Sequence, residues 1–399
     1  MTMPHLATRT VLAIGLAVAV LTAAILAITL QSGSSATTGG TSVITINEFD
    51  CATGWLPPRS GQRELTIRNA GSSIVDVALI APSSSLVYGE LEAMAPGTVR
   101  TMTAVIPPGR YELQCTYSEG ATVVSHTVTV SGPQVTDAHP YLPVTYQEML
   151  PSVDRYRSDV ASGLAKLAVD TDHLRALADD GQILEARRAW LVAHLDYERL
   201  GAAYDTFGSF NDEIDGRPNG LPLGVNDPSW TGFLRLERAL WQGQPKAVVA
   251  SVADRLDGFV HGLVAAFPDQ TIDPNDLSLR THEILENTLQ FQLTGETDQG
   301  SHTGLATAVA NVEGTQMTLA AITPPLAQRD PALLASASAG LRELAKLLNS
   351  YRLPDGWWTP VQALSQAQHE VLDGTLSNLL ETLSPIPDIL EVPLDTDNP

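Results

Sequence analysis

A chain of 399 residues, 44% of them hydrophobic, is long enough for two domains and a tail, so a single small core is excluded. Its 45 acidic side chains against 23 basic ones leave a formal charge of −22. That charge repels nucleic acid and anionic lipid headgroups and concentrates cations, so nucleic acid is not an expected partner.

The first segment, residues 1–40, carries an apolar run from Val11 to Leu30 with Arg9 just ahead of it and a Gly/Ser/Thr stretch, Gln31 to Gly40, behind it. A secretory apolar region usually runs ~7–15 residues and a spanning helix needs about 20, so an uncleaved N-terminal anchor is expected, with a signal peptide as the alternative. Arg9 places the N-terminus inside, and the small polar residues form a tether leading into the exterior space. The membrane is thus an expected contact of this segment alone.

Between residues 41 and 131 the pattern is strand-like. Short β-branched runs at Val43–Ile46, Glu64–Ile67, Ile74–Ile80, Val99–Val105, Tyr111–Gln114 and Thr122–Val130 are separated by Asn69–Ser72, Pro96–Gly97 and Pro107–Gly109. This spacing predicts a small antiparallel β-sandwich. The two cysteines, Cys51 and Cys115, both lie here, and in an oxidising compartment a disulfide is expected in preference to a metal thiolate. A blue-copper centre needs two imidazoles beside its thiolate, whereas His126 is the one histidine of this segment, so copper is not expected. Residues 132–145, with three prolines, form a linker.

From residue 146 to 384 the composition turns to alanine, leucine, glutamate and arginine with a period near 3.6. Helices are predicted at about 147–180, 183–206, 230–242, 246–266, 280–294, 303–322, 331–351 and 361–383, an all-α bundle. Trp190, Ala193, Tyr197, Leu200 and Tyr204 recur at three and four and draw one apolar stripe. Residues 385–399 are proline-rich and acidic and are expected to fray.

Candidate chemistry sits in the helices. His194 and Glu198 are four apart and project on one side, a geometry suited to one metal ion or to a hydrogen-bonded structural histidine. Two ligands are too few, and Glu237 is the best donor from a second helix. His282 and Glu286 repeat the four-residue relation. The loop Phe210–Pro218 is rich in carboxylates, and helix capping accounts for Asp212 and Asp215 without an ion. His-Glu-x-x-His, Gly-x-Ser-x-Gly and a Cys/His nucleophile pair in the helical part are all absent from the sequence.

Five stretches together, Asp196–Arg199, Phe210–Asp215, Trp230–Trp241, Leu293–Glu296 and Ala310–Gly314, resemble the EfeO-type iron uptake components. The resemblance covers nearly everything after residue 41. It implies a multidomain fold, an N-terminal cupredoxin-like β-sandwich followed by an imelysin-like all-α helical bundle. It also implies an extracytoplasmic protein that binds ferrous or ferric iron and serves an iron permease or another membrane uptake partner. The family's Gly-x-His-x-x-Glu motif aligns its glutamate with Glu237, and Glu198 matches a further carboxylate. Leu234 stands where that motif has histidine, so His194, His282 or His302 must supply the imidazole if iron is bound. The alternatives are an imelysin-type metallopeptidase and a non-catalytic interaction module with a degenerate site.

Overall fold

A computed structural model describes residues 43–118 and 121–392; the expected anchor and tether, and residues 393–399, lie outside the described residues. Among the described residues nine strands come first: β1 (Ile44–Asn47), β2 (Asp50–Thr53), β3 (Gly61–Asn69), β4 (Val75–Ala81), β5 (Leu86–Met94), β6 (Val99–Ile106), β7 (Gly109–Tyr117), β8 (Thr122–Val124) and β9 (Val128–Val130). They form two sheets, ordered β2-β1-β3-β6 and β5-β4-β7-β8, with β9 also on β7. Alternation drives the packing: in β4 every second residue of Val75-Asp-Val-Ala-Leu-Ile-Ala81 is buried. Ile46, Ile67, Leu79, Met94 and Met102 fill the space between the sheets.

Two features depart from the expected pattern. The β1–β3 pair is parallel, so the sandwich is not purely antiparallel. Strand β5 was not predicted, because Gly89, Glu90 and Glu92 break its alternation; it forms by antiparallel pairing with β4 across the short turn between Ala81 and Leu86 rather than through its own propensity.

Cys51 on β2 and Cys115 on β7 are joined by a disulfide that ties one sheet to the other, with Cα atoms 5.7 Å apart and a sequence separation of 64. Closing a loop of that length removes about 4 kcal/mol of unfolded-state entropy on the chain-entropy model. Reduction is therefore expected to raise hydrogen exchange in β2 and β7 selectively, with the helical part unchanged. Equal protection with and without reductant would refute the estimate.

The linker is fastened at both ends. Tyr141 and Val87 exchange backbone hydrogen bonds of 2.8 and 3.0 Å, which ties it to β5. Arg329 donates to the carbonyls of Leu142 and Pro143 and makes a two-pronged contact with the Glu148 carboxylate at 2.7 and 2.8 Å.

Among the described residues ten α-helices follow: α1 (Tyr146–Asp180), α2 (Ile183–Glu198), α3 (Ser209–Asp215), α4 (Phe233–Trp241), α5 (Lys246–Ala266), α6 (Pro274–Asn287), α7 (Gly304–Arg329), α8 (Pro331–Asn349), α9 (Gln366–Leu383) and α10 (Pro385–Ile389). Their ends carry local signals. Thr145 caps α1 by accepting from the Glu148 amide, and Gly181 closes it in the left-handed region. Asp273 caps α6 ahead of Pro274.

The predicted 183–206 helix stops at Glu198 and continues as short 3-10 turns at Gly201–Ala203 and Asp205–Phe207. Its apolar stripe survives the change, since Leu200 remains buried in the core. Helix α6 begins earlier than predicted and runs into a π-turn at Thr288–Gln292. Residues 385–392 do not fray: Ile386 and Leu390 are fully buried, and the Asn275 side chain exchanges hydrogen bonds with the Val392 backbone. No helix among the described residues is long and apolar enough to cross a membrane.

Candidate metal centre

Helix α2 sets His194 and Glu198 one turn apart on its inner side, where both side chains are almost fully buried, at 5% and 7% exposure. The imidazole stacks on Trp190, with ring centroids 4.8 Å apart, and leans against Phe233 at 5.2 Å. Trp190 is held in turn by its indole N–H, which donates to the Phe233 carbonyl at 3.0 Å. The ring is therefore positioned by packing on two sides.

The third member arrives from a separate short helix. Asp215, the last residue of α3, brings Oδ1 to 3.6 Å from His194 Nε2, while Glu198 Oε1 lies 3.1 Å from the same nitrogen. Tyr197 fixes α3 against α2 by donating to Asn211 Oδ1 at 2.9 Å. Gly232, at φ +91°, lets the start of α4 lie against the α3 backbone, because a Cβ there would overlap the Ile214 carbonyl oxygen.

These are ion-pair contacts, and none has the geometry of a hydrogen bond. Both ring nitrogens of His194 and Oδ1 of Asp215 are buried without any hydrogen-bond partner. A buried polar atom left in this way costs free energy, so His194 Nε2 and Asp215 Oδ1, meeting beside the Glu198 carboxylate, mark a site arranged for something else. The donor separations of 3.1 and 3.6 Å bracket the edge of a tetrahedron with bonds of about 2.1 Å, roughly 3.4 Å. One imidazole and two carboxylates, with ligand atoms all within 4.8 Å of one another, are able to hold a metal ion.

The electrostatics fit a cation. Burial by itself pushes the His194 pKa down, yet the Asp215 and Glu198 carboxylates overcome it and hold the ring protonated up to about 10. Burial, reinforced by the Glu198 charge and opposed by His194, lifts Asp215 to about 6. A proton thus occupies the place a metal would take.

Glu237, on α4, is buried in the wall of an adjoining cavity of about 20 Å³ that His194, Trp190 and Leu234 also line. That is room for about one water. Its Oε1 accepts from the backbone amides of Gln299 and Ser301 at 3.0 and 2.8 Å. Burial raises its pKa to about 7 even though those amides favour the charged form. Glu237 is not among the three groups whose ligand atoms converge.

His282 and Glu286 pair only with each other, at 3.7 Å on α6, and join no converging group among the described residues. Asp215 was treated as a capping residue, and only its carboxylate-rich loop hinted at more. His302, at 56% side-chain exposure on the same cavity, has its Nδ1 fixed by Asp298 at 2.6 Å, leaving Nε2 as the free ring nitrogen. Gln292, at the end of the π-turn, also lines the cavity, with a buried Oε1 that accepts no hydrogen bond.

Residues 152–385 match the family model for imelysin, a family designated peptidase M75. Over 350 residues, 87% of this chain and 90% of the relative, the sequence is 26% identical to the iron uptake system component EfeO of Escherichia coli strain K12, and equally to those of E. coli O157:H7 and Shigella flexneri. The matched span takes in the β region as well as the bundle. The chain belongs to the imelysin family.

Proposed function

We propose that this protein is an extracytoplasmic, membrane-tethered component of an iron uptake system that captures iron and presents it to a membrane permease. The observation that carries the proposal is the buried meeting of His194, Glu198 and Asp215, in which His194 Nε2 and Asp215 Oδ1 have no hydrogen-bond partner. Nitrogen and carboxylate donors suit ferrous or ferric iron, and a set without thiolate gives Cu(I) no advantage. On this reading His194 supplies, from α2, the imidazole that Leu234 on α4 cannot. Glu237 lies next to the ion, and His302 at the cavity mouth offers a first nitrogen to an ion arriving from solvent. The β region is cupredoxin-like in fold only. The role is binding rather than catalysis, and the strongly acidic surface favours encounter with cations.

Calorimetric titration of the chelator-stripped protein with ferrous iron under anaerobic conditions tests the proposal. One ion is expected at this centre, with its binding lost in His194→Ala and weakened about tenfold or more in Glu237→Ala. Unchanged binding in both variants would reject the site. Metal-dependent cleavage of a peptide library would instead favour a peptidase.

A further inference from the structure

A second group of metal-type donors lies on a different pair of helices. Asp172 on α1 faces Asp257 and His261, four apart on α5, and their ligand atoms all lie within 4.8 Å of one another. His261 Nε2 is 3.5 Å from Asp172 Oδ1 and 3.8 Å from Asp257 Oδ1. Both lengths are close to the edge of about 3.4 Å expected around an ion with bonds of about 2.1 Å.

Asp257 separates this group from an ordinary charged surface. Its side chain is only 10% exposed, and Oδ1, the atom turned toward His261 and Asp172, is fully buried and accepts no hydrogen bond. The other oxygen, Oδ2, lies 3.0 Å from Arg175 Nε, which is itself without a hydrogen bond in good geometry. The guanidinium also spans Asp172 at 3.7 Å and Asp179 at 3.8 Å. Arg175 is one positive charge among three carboxylates, close to Asp257 and loosely held by Asp172 and Asp179.

We infer that Asp172, Asp257 and His261 form a second cation site, open to solvent, for a divalent transition ion of the zinc or ferrous class. Two carboxylates and a neutral imidazole supply three ligands, and water completes the shell because Asp172 and His261 are half-exposed. Arg175 acts as the resident counter-charge and moves aside when the ion enters. The inference does not rest on the role proposed for His194.

The test uses the chelator-stripped full chain and Zn2+ in equilibrium dialysis at neutral pH. Wild type is expected to take up two ions. Asp257→Asn and His261→Ala are each expected to weaken the second ion at least about tenfold and to leave the first in place. Arg175→Ala is expected to bind the second ion more tightly, since a competing cation is gone. His261 is half-exposed and its loss leaves the core intact, so that variant remains informative if Asp257→Asn fails to fold. Two ions retained at wild-type affinity in His261→Ala would overturn the inference. So would weaker binding in Arg175→Ala, which would make the group a salt-bridge network and nothing more.

Discussion

Raising the pH from 5 to 8 is expected to tighten zinc binding at the His194 centre by about a thousandfold or more. Ligation requires the neutral imidazole, and the two carboxylates keep His194 protonated up to about 10. One proton must therefore leave for each ion throughout that range, which makes affinity rise about tenfold per pH unit. Below about 6 Asp215 also carries a proton, so the slope steepens there. Zinc is the better probe because it does not change oxidation state. Competition against a chelator of known proton linkage, repeated across the range, gives the slope directly. A wild-type slope near zero between pH 6 and 8 would refute the assignment.

The metal-free protein should show the opposite trend. His194 has a folded pKa raised above its unfolded value, so its stabilising contribution is complete below about 6.5 and is lost as pH climbs through about 10. Asp215 and Glu237 are carboxyls raised to about 6 and about 7, so the folded state favours their neutral forms. Stability falls as pH rises through those values. Without metal the bundle is most stable in mild acid, and with metal near neutrality or above. On the proposed reading an ion would be held at neutral pH and released by acid, through protonation of His194 and Asp215.

The architecture was legible because it follows from periodicity. Alternation at Ile74–Ile80 and the three-and-four spacing of the Trp190 stripe are repeated many times along the chain, so single irregularities do not hide them. What failed was set by tertiary context. Strand β5 depends on pairing with β4, and residues 385–392 are ordered by Asn275 and the core rather than by their own sequence. The site was half legible. His194 and Glu198 announce themselves by lying four apart, whereas Asp215 is brought in by a glycine-dependent approach of α4 to α3 that no local pattern encodes. His282 and Glu286 have the same spacing as His194 and Glu198 but lack a partner element, which is why spacing alone could not separate the two pairs.

Replacing His194 by leucine is expected to destabilise the metal-free protein by about 3–5 kcal/mol at pH 7.5. The ring is the one cation between two carboxylates in a wall made by Trp190 and Phe233, and leucine keeps the packing while removing the charge. Asp215 retains 21% exposure, so solvent relieves part of the penalty and the lower end of the range applies. The cost should shrink at pH 5, where Asp215 is protonated and only Glu198 is left without a counter-charge. Replacing His194, Glu198 and Asp215 together by apolar residues of similar size should bring stability back to within about 2 kcal/mol of wild type or above it, because no buried charge then remains. Urea unfolding of the single and triple variants at the two pH values measures all four quantities. A triple variant no more stable than His194→Leu would show that the three groups hold the bundle together. Recovery of stability with complete loss of iron binding would show that the fold tolerates this cluster at a cost, and that the ion is the reason for it.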